Sequence, residues 1–310
     1  MNNAQLDEYV QQTIQQGSKS FATASALFDA STRRSVLMLY AWCRYCDDSI
    51  DDQFLGFQPA MPATSSIEQR LAELRAATAS AFAGEEQPIP AFAALAQVIR
   101  QHGLHQQFAF DHLEGYAMDV AQARYLTLDQ TLTYCYHVAG VVGLMMAQIM
   151  GAKDPQVLDR ACDLGLAFQL TNIARDIVED AAMGRCYLPE EWLVEEGVDL
   201  TDFAASEHRQ RLSRLAARLV DQAEAYYQSS YSGLAALPLR SAWAVATARR
   251  VYRKIGHRVK QAGAGAWQGR ISTSRSEKVG MLVAAMGDVL LARFIPARHR
   301  PESLWQRPRR

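Results

Sequence analysis

The chain has 310 residues, 49% of them apolar, and a formal net charge of −1. That length admits one large domain or two smaller ones, and that apolar share is ample for a buried core. The near-zero charge excludes a general nucleic-acid binder, whose basic surface would be its electrostatic footprint.

Helical periodicity dominates and strand patterns are nearly absent. The opening segment, 1–16, is polar and amphipathic rather than a secretory leader. Ser18, Lys19, Ser20 and Phe21 set hydroxyls and a cation before a helix. Such an end suits an anion and equally suits ordinary N-capping. Ser31 is expected to cap a long helix reaching about residue 52, and Pro59 and Pro62 mark a loop before a helix over 67–82. After Pro88 and Pro90, helices are expected over 91–101 and 106–121. Thr127 opens a helix over 128–150, and Asp154 with Pro155 opens the next, which ends in a loop at 184–189. Long helices over 206–231, 239–260 and 276–294 complete the chain. With no long Pro/Gly/Ser linker and no internal repeat, these predict one all-α domain over 1–310, its helices surrounding a central cavity.

The five cysteines, Cys43, Cys46, Cys135, Cys162 and Cys186, are odd in number and scattered through apolar patterns, which fits free thiols in a reducing cytosol. Cys43 and Cys46 spell C-x-x-C, but no second pair or histidine ligand accompanies them. The longest apolar run, 138–150, falls short of the roughly 20 residues of a spanning helix and reads as a buried core helix. From about 296 the chain becomes a basic tail. Arg293, Arg298, Arg300, Arg307, Arg309 and Arg310 alternate with Phe294, Ile295, Leu304 and Trp305. This fits a solvated end or a patch that touches anionic membrane. On the second reading, removing residues from 301 onward weakens liposome binding and spares catalysis.

Two aspartate-rich stretches carry the chemistry. The first holds Asp47, Asp48, Asp51 and Asp52; the second holds Asn172, Asp176, Glu179 and Asp180. Residues three or four apart share a helix face, so Tyr40, Arg44, Asp47 and Asp51 form one row, and Gln169, Asn172, Asp176 and Asp180 another. Each alone also fits a solvated acidic face, and Arg44 could simply pair with Asp48. Two rows facing one cavity would concentrate negative charge that a hard cation neutralises. Mg²⁺ suits this, taking one or two carboxylates and leaving its other positions to water and phosphate oxygens. Arg185 and Tyr187 follow in a loop able to close over the mouth. Between the rows, Ala139, Gly140 and Gly143 allow close approach of a helix or a ligand chain, and His137 reads as a satisfied core histidine.

Taken in order, these residues resemble the squalene/phytoene synthase family, head-to-head prenyl-diphosphate synthases of the class I isoprenoid synthase (terpenoid synthase) fold. The match spans nearly the whole chain. It runs from Ser18–Phe21 through the Tyr40 to Asp51 block and the 134–143 signature. It ends in the long string from Leu164 and Gly165 through Gln169, Asn172, Arg175, Asp176, Asp180, Arg185 and Tyr187 to Pro189. The resemblance implies that Asp47, Asp51, Asn172, Asp176 and Asp180 hold Mg²⁺ or Mn²⁺ ions bridging to diphosphate. Asp47, Asp51, Asp176, Asp180 and Tyr252 would be catalytic. Ser20, Tyr40, Arg44, Gln169, Asn172, Arg175, Arg185 and Arg270 would bind substrate, and Val138, Ala139, Val142 and Gly143 would line the cavity. Asp48, Asp119 and Arg124 look like supporting charge at the same mouth. The implied reaction couples two allylic diphosphates through a cyclopropylcarbinyl diphosphate, with the last proton going to diphosphate or to a tyrosine such as Tyr252.

Within the family, the absence of a C-terminal hydrophobic span and the form of the second acidic string look like carotenoid-pathway enzymes. Geranylgeranyl diphosphate and the C40 product phytoene are therefore favoured over farnesyl diphosphate and squalene or dehydrosqualene. No G-x-G-x-x-G follows a strand, and no NADPH is expected. The implied setting is cytoplasmic, with peripheral contact to anionic membrane and handover to a phytoene desaturase. A terpene cyclase would use one substrate and yield a cyclised product, and a non-catalytic scaffold of this fold would show eroded acidic rows, whereas both are complete.

Overall fold

The structure is a computed structural model, and it describes residues 3–17, 19–50, 53–54, 58–59 and 66–309. Asp51, Ser18 and Pro62 fall outside that set, as do the side chains of Lys19 and Ser20. Thirteen α-helices make up almost all the regular structure of the described residues. Where a loop is expected before the fourth helix, two-residue strands β1 (Gln53–Phe54) and β2 (Gln58–Pro59) pair antiparallel, Gln53 opposite Pro59.

Helix α1 (Asn3–Gly17) buries Leu6, Val10 and Ile14, one residue per turn. After α2 (Lys19–Ser25), helix α3 (Ala30–Ile50) starts one residue before Ser31. Its cap is Asp29, whose Oδ1 accepts the Thr32 amide at 3.0 Å. That bond holds the Asp29 carboxyl below its ordinary range. A carboxylate placed three residues before an orphan amide is the stronger acceptor, so Ser31 lies inside the first turn. Helices α4 (Ile67–Ala83), α5 (Pro90–His102) and α6 (Gln106–Val120) follow close to their expected bounds.

The helix expected over 128–150 is interrupted. It consists of α7 (Leu128–Cys135), a π turn (Tyr136–Gly140) and α8 (Val141–Ile149). By length and composition Leu128–Ile149 could cross a bilayer, but 56% of its most apolar window is buried inside the protein. It is a core helix. Glycines set how closely the next helix, α9 (Pro155–Ala182), can approach. A Cβ on Gly165 would stand 2.4 Å from the Ala139 carbonyl oxygen, and one on Gly143 would stand 2.4 Å from that of Ala161. Backbone thus meets backbone where the sequence offered small residues.

Short α10 (Glu190–Glu195), unexpected from periodicity, precedes α11 (Arg209–Tyr231), α12 (Leu239–Ala262) and α13 (Arg275–Phe294). Helix α9 is central, packing against α8, α11, α12 and the π turn, while α3 packs against α1, α5, α6 and α8. Two apolar clusters result, one around α1, α3 and α5 and one around α9 and α11.

Two histidines join α6 to the π turn. His137 Nδ1 lies 2.7 Å from the Asp111 carbonyl, so His137 is a satisfied core histidine as expected. His112 Nδ1 lies 3.1 Å from the His137 carbonyl, and its Nε2 lies 3.2 Å from the Tyr116 hydroxyl. Burial lowers the His112 pKa from 6.5 to about 4. The unfolded chain therefore binds a proton there at higher pH than the folded one, and stability is lost as pH falls from 6.5 toward 4. The expected loss is about 3 kcal/mol across that window. Urea unfolding at about pH 7 and about pH 4.5 checks it, with His112→Gln expected to lose less on acidification than the wild type.

The C-terminal segment is not a solvated tail. Arg300 Nη2 meets Asp163 Oδ1 at 2.8 Å, while Arg307 Nε and Arg309 Nη2 meet Asp159 at 2.7 and 2.8 Å. Leu304 is buried, the Trp305 amide donates to the Tyr226 hydroxyl at 3.2 Å, and the Trp305 ring lies 5.4 Å from that of Tyr136. The segment straps α9 to α11, because the carboxylates of Asp159 and Asp163 are buried and need cations. Arg300, Arg307 and Arg309 are thus each paired with a buried carboxylate of α9.

Candidate active site

A cavity of about 940 Å³ opens between the two apolar clusters. It lies at the upper end of the roughly 300–1,000 Å³ typical of small-molecule sites. Val138, Ala139, Val142 and Gly143 line it, together with Phe21, Met146, Phe168 and Tyr252. Helix α9 contributes one continuous stripe: Val157, Ala161, Leu164, Gly165, Phe168, Gln169 and Asn172 all face the cavity. Asp176 and Asp180 continue that stripe by four-residue steps. A single helix face is therefore apolar along the cavity and acidic beyond its polar end. Phe168 belongs to the lining and stacks on Tyr252 at 4.3 Å.

At that polar end, Asn172 Nδ2 donates to Gln169 Oε1 at 3.4 Å. Asn172 Oδ1 is buried and accepts no hydrogen bond. Burial first, and then the Asp176 carboxylate, raise the Asp180 pKa from 3.8 to about 7. The left-handed Gly184 (φ 75°) turns the chain so that the Arg185 amide donates to the Asp180 carbonyl at 2.9 Å. The Arg185 guanidinium opposes the rise in the Asp180 pKa. Arg175 Nε donates to Asp176 Oδ1 at 2.7 Å. Burial works against the Arg175 charge, yet the bond to Asp176 holds its pKa above the ordinary value. Burial also raises the Tyr252 pKa, with Arg175 opposing, and Arg270, exposed in the loop before α13, is within electrostatic reach.

On α3, Arg44 binds both neighbouring carboxylates, Nη1 to Asp47 at 3.0 Å and Nη2 to Asp48 at 3.0 Å. The intrahelical pair with Asp48 thus exists beside the one with Asp47. Arg44 Nε is buried without a hydrogen-bond partner. Tyr40, one turn earlier, stacks on the cavity residue Phe21 at 5.0 Å, and burial pushes its pKa up to about 12.

Asp119 of α6 holds two tyrosine hydroxyls. It accepts from the hydroxyls of Tyr134 (3.2 Å) and Tyr187 (3.0 Å), whose rings stack at 4.6 Å. Its charge contributes to the raised pKa of both Asp180 and Tyr116, and Asp47 also acts on Tyr116. Arg124 turns outward and pairs with Glu190 at the start of α10, Nη2 to Oε2 at 2.8 Å. All five cysteines are free. Burial raises the Cys43 and Cys46 thiols, so the C-x-x-C pair is packing.

Among the described residues, no three His, Cys, Asp or Glu side chains gather tightly enough to hold a metal ion by themselves. The donors instead fit ions completed by ligand oxygens. These are an orphaned amide oxygen on Asn172, a carboxylate on Asp180 short of positive charge, and the carboxylates of Asp47 and Asp176.

The squalene/phytoene synthase model matches residues 14–277. The 15-cis-phytoene synthase of Pantoea ananas is 62% identical over 308 residues, covering 99% of this chain and all of that one. The phytoene synthase of Pseudescherichia vulneris is 58% identical over the same span. Among solved structures, a dehydrosqualene synthase in complex with ligand superposes with a TM-score of 0.82 at 28% identity, covering 93% of this chain and 98% of that one. With its family model matched across most of its length and relatives 58–62% identical over nearly all of it, the chain belongs to the squalene/phytoene synthase family.

Proposed function

We infer that this chain is a phytoene synthase, a prenyltransferase that joins two geranylgeranyl diphosphates head to head, through prephytoene diphosphate, and releases diphosphate. The observation that carries the reading is 58–63% identity to phytoene synthases over nearly the full chain. The dehydrosqualene synthase relative in structure is only 28% identical, so the C20 substrate is favoured over the C15.

Asp47, Asn172, Asp176 and Asp180 are the described residues that would hold Mg²⁺ or Mn²⁺, with Asp51 as a further candidate. The bound cation supplies charge that stabilises a departing diphosphate. Arg44 and Arg175, with Arg185 and Arg270, offer guanidiniums of the kind that grip diphosphate oxygens. The apolar wall keeps water from an allylic cation, and the stacked rings of Phe168 and Tyr252 present π faces that attract positive charge. The first substrate loses diphosphate to give that cation. The double bond of the second attacks it and loses a proton as the cyclopropane closes. Loss of the second diphosphate, rearrangement and a final proton loss then complete the product. Because burial keeps Tyr252 a neutral phenol, released diphosphate is the better final proton acceptor. We further propose that the chain works in the cytoplasm at the membrane surface and passes its insoluble product to a desaturase.

Incubation with geranylgeranyl diphosphate and Mg²⁺ should yield a C40 hydrocarbon with an unreduced central bond, with or without NADPH. Faster turnover of farnesyl diphosphate, or diversion by NADPH to a reduced central bond, would assign the chain to the squalene branch instead.

A further inference from the structure

Among the described residues, helix α13 leaves an outer face exposed. Every exposed residue from Val279 to Leu291 is uncharged: Val279, Gly280, Val283, Gly287, Leu290 and Leu291. Phe294 ends the strip and is 84% exposed, more than any other large apolar residue described, while Val283 is 68% exposed. The two carboxylates of α13 are occupied by α12: Glu277 pairs with Arg258, and Asp288 with Arg250. Basic side chains mark both ends of the strip, Arg275 and Lys278 at one and Arg293 at the other.

The strip is continuous with the cavity. Val279, although 63% exposed, also lines the cavity, as do Lys278 and Leu282. We propose that the outer face of α13 is the surface by which the protein docks on an anionic lipid bilayer, placing the cavity mouth against the lipid. This rests on the reading of the product as a C40 hydrocarbon, which needs an apolar phase to enter. An interfacial helix combines an apolar face with flanking cations in this way. A second copy of the chain fits less well. The strip is about 22 Å long and about 10 Å wide, against the roughly 800 Å² per partner of a stable interface. It is a stronger candidate than the C-terminal segment, where Arg300, Arg307 and Arg309 are paired with Asp163 and Asp159.

The full-length protein and Val283→Glu/Phe294→Glu are compared by co-sedimentation with vesicles of phosphatidylcholine alone and of phosphatidylcholine mixed with phosphatidylglycerol. The wild type should bind the mixed vesicles more strongly, and the double variant should bind them roughly tenfold or more weakly. Turnover of detergent-dispersed geranylgeranyl diphosphate and the melting temperature should stay unchanged. Equal vesicle binding by the two proteins overturns the proposal. So does a wild type that sediments as a dimer in solution beside a monomeric variant, which would assign the face to a second copy. Failure of the wild type to make a C40 product in detergent would count against the assigned reaction, whatever the vesicles show.

Discussion

Asp176→Asn is expected to lower product formation by roughly 10²–10³-fold, the scale seen when one preorganised electrostatic group is removed from an active site. The substitution keeps the side-chain shape and deletes one negative charge at the end of the α9 stripe, where Asn172 and Asp180 already face the same space. Asp47→Asn on α3 should behave alike. Both should leave the fold largely intact, because neither carboxylate belongs to the apolar clusters. Arg175 loses its ionic partner in Asp176→Asn, so circular dichroism and melting must accompany the rate measurement. Chelation should stop the wild type, and added Mg²⁺ or Mn²⁺ should restore it. Near-normal turnover of either variant at saturating Mg²⁺ would remove these residues from the metal-holding set.

Arg300→Ala is expected to destabilise the protein by about 3–5 kcal/mol, the scale for stranding a buried charge. The Asp163 side chain is 1% exposed, and burial already raises its pKa although Arg300 and Ser229 both bond to it. Without Arg300 that pKa should climb further. The deficit should then shrink as the pH falls and Asp163 becomes neutral, so urea unfolding should show a larger loss at neutral than at acidic pH. The double variant Asp163→Ala/Arg300→Ala should cost less than Arg300→Ala alone, since no charge is left stranded. Additive losses would mean that the ion pair is incidental. Truncation from residue 301 should likewise lower stability, because it exposes the site of Leu304 and frees Asp159 from Arg307 and Arg309.

Most of the helical layout was legible in the sequence, because apolar periodicity and caps such as Thr127 and Asp154 act over one or two turns. The π turn was not, because it depends on how Gly140 and Gly165 meet across two helices. The composition of the acidic rows was also legible, since a helix face is a local property. What a row of carboxylates does is not local. Asp159 and Asp163 stand four apart on α9, with the same spacing as Asp176 and Asp180. The first pair is neutralised by arginines more than 130 residues away, while Asp180 remains in a buried, negative setting that raises its pKa to about 7. Nor could the sequence tell a solvated tail from a strap, or an internal apolar face from the exposed one on α13. By itself the sequence determined an all-helical chain with two acidic rows of this family's pattern. Only the tertiary structure decided which charges are spent on each other and which apolar surface stays open, because burial and pairing depend on partners distant along the chain.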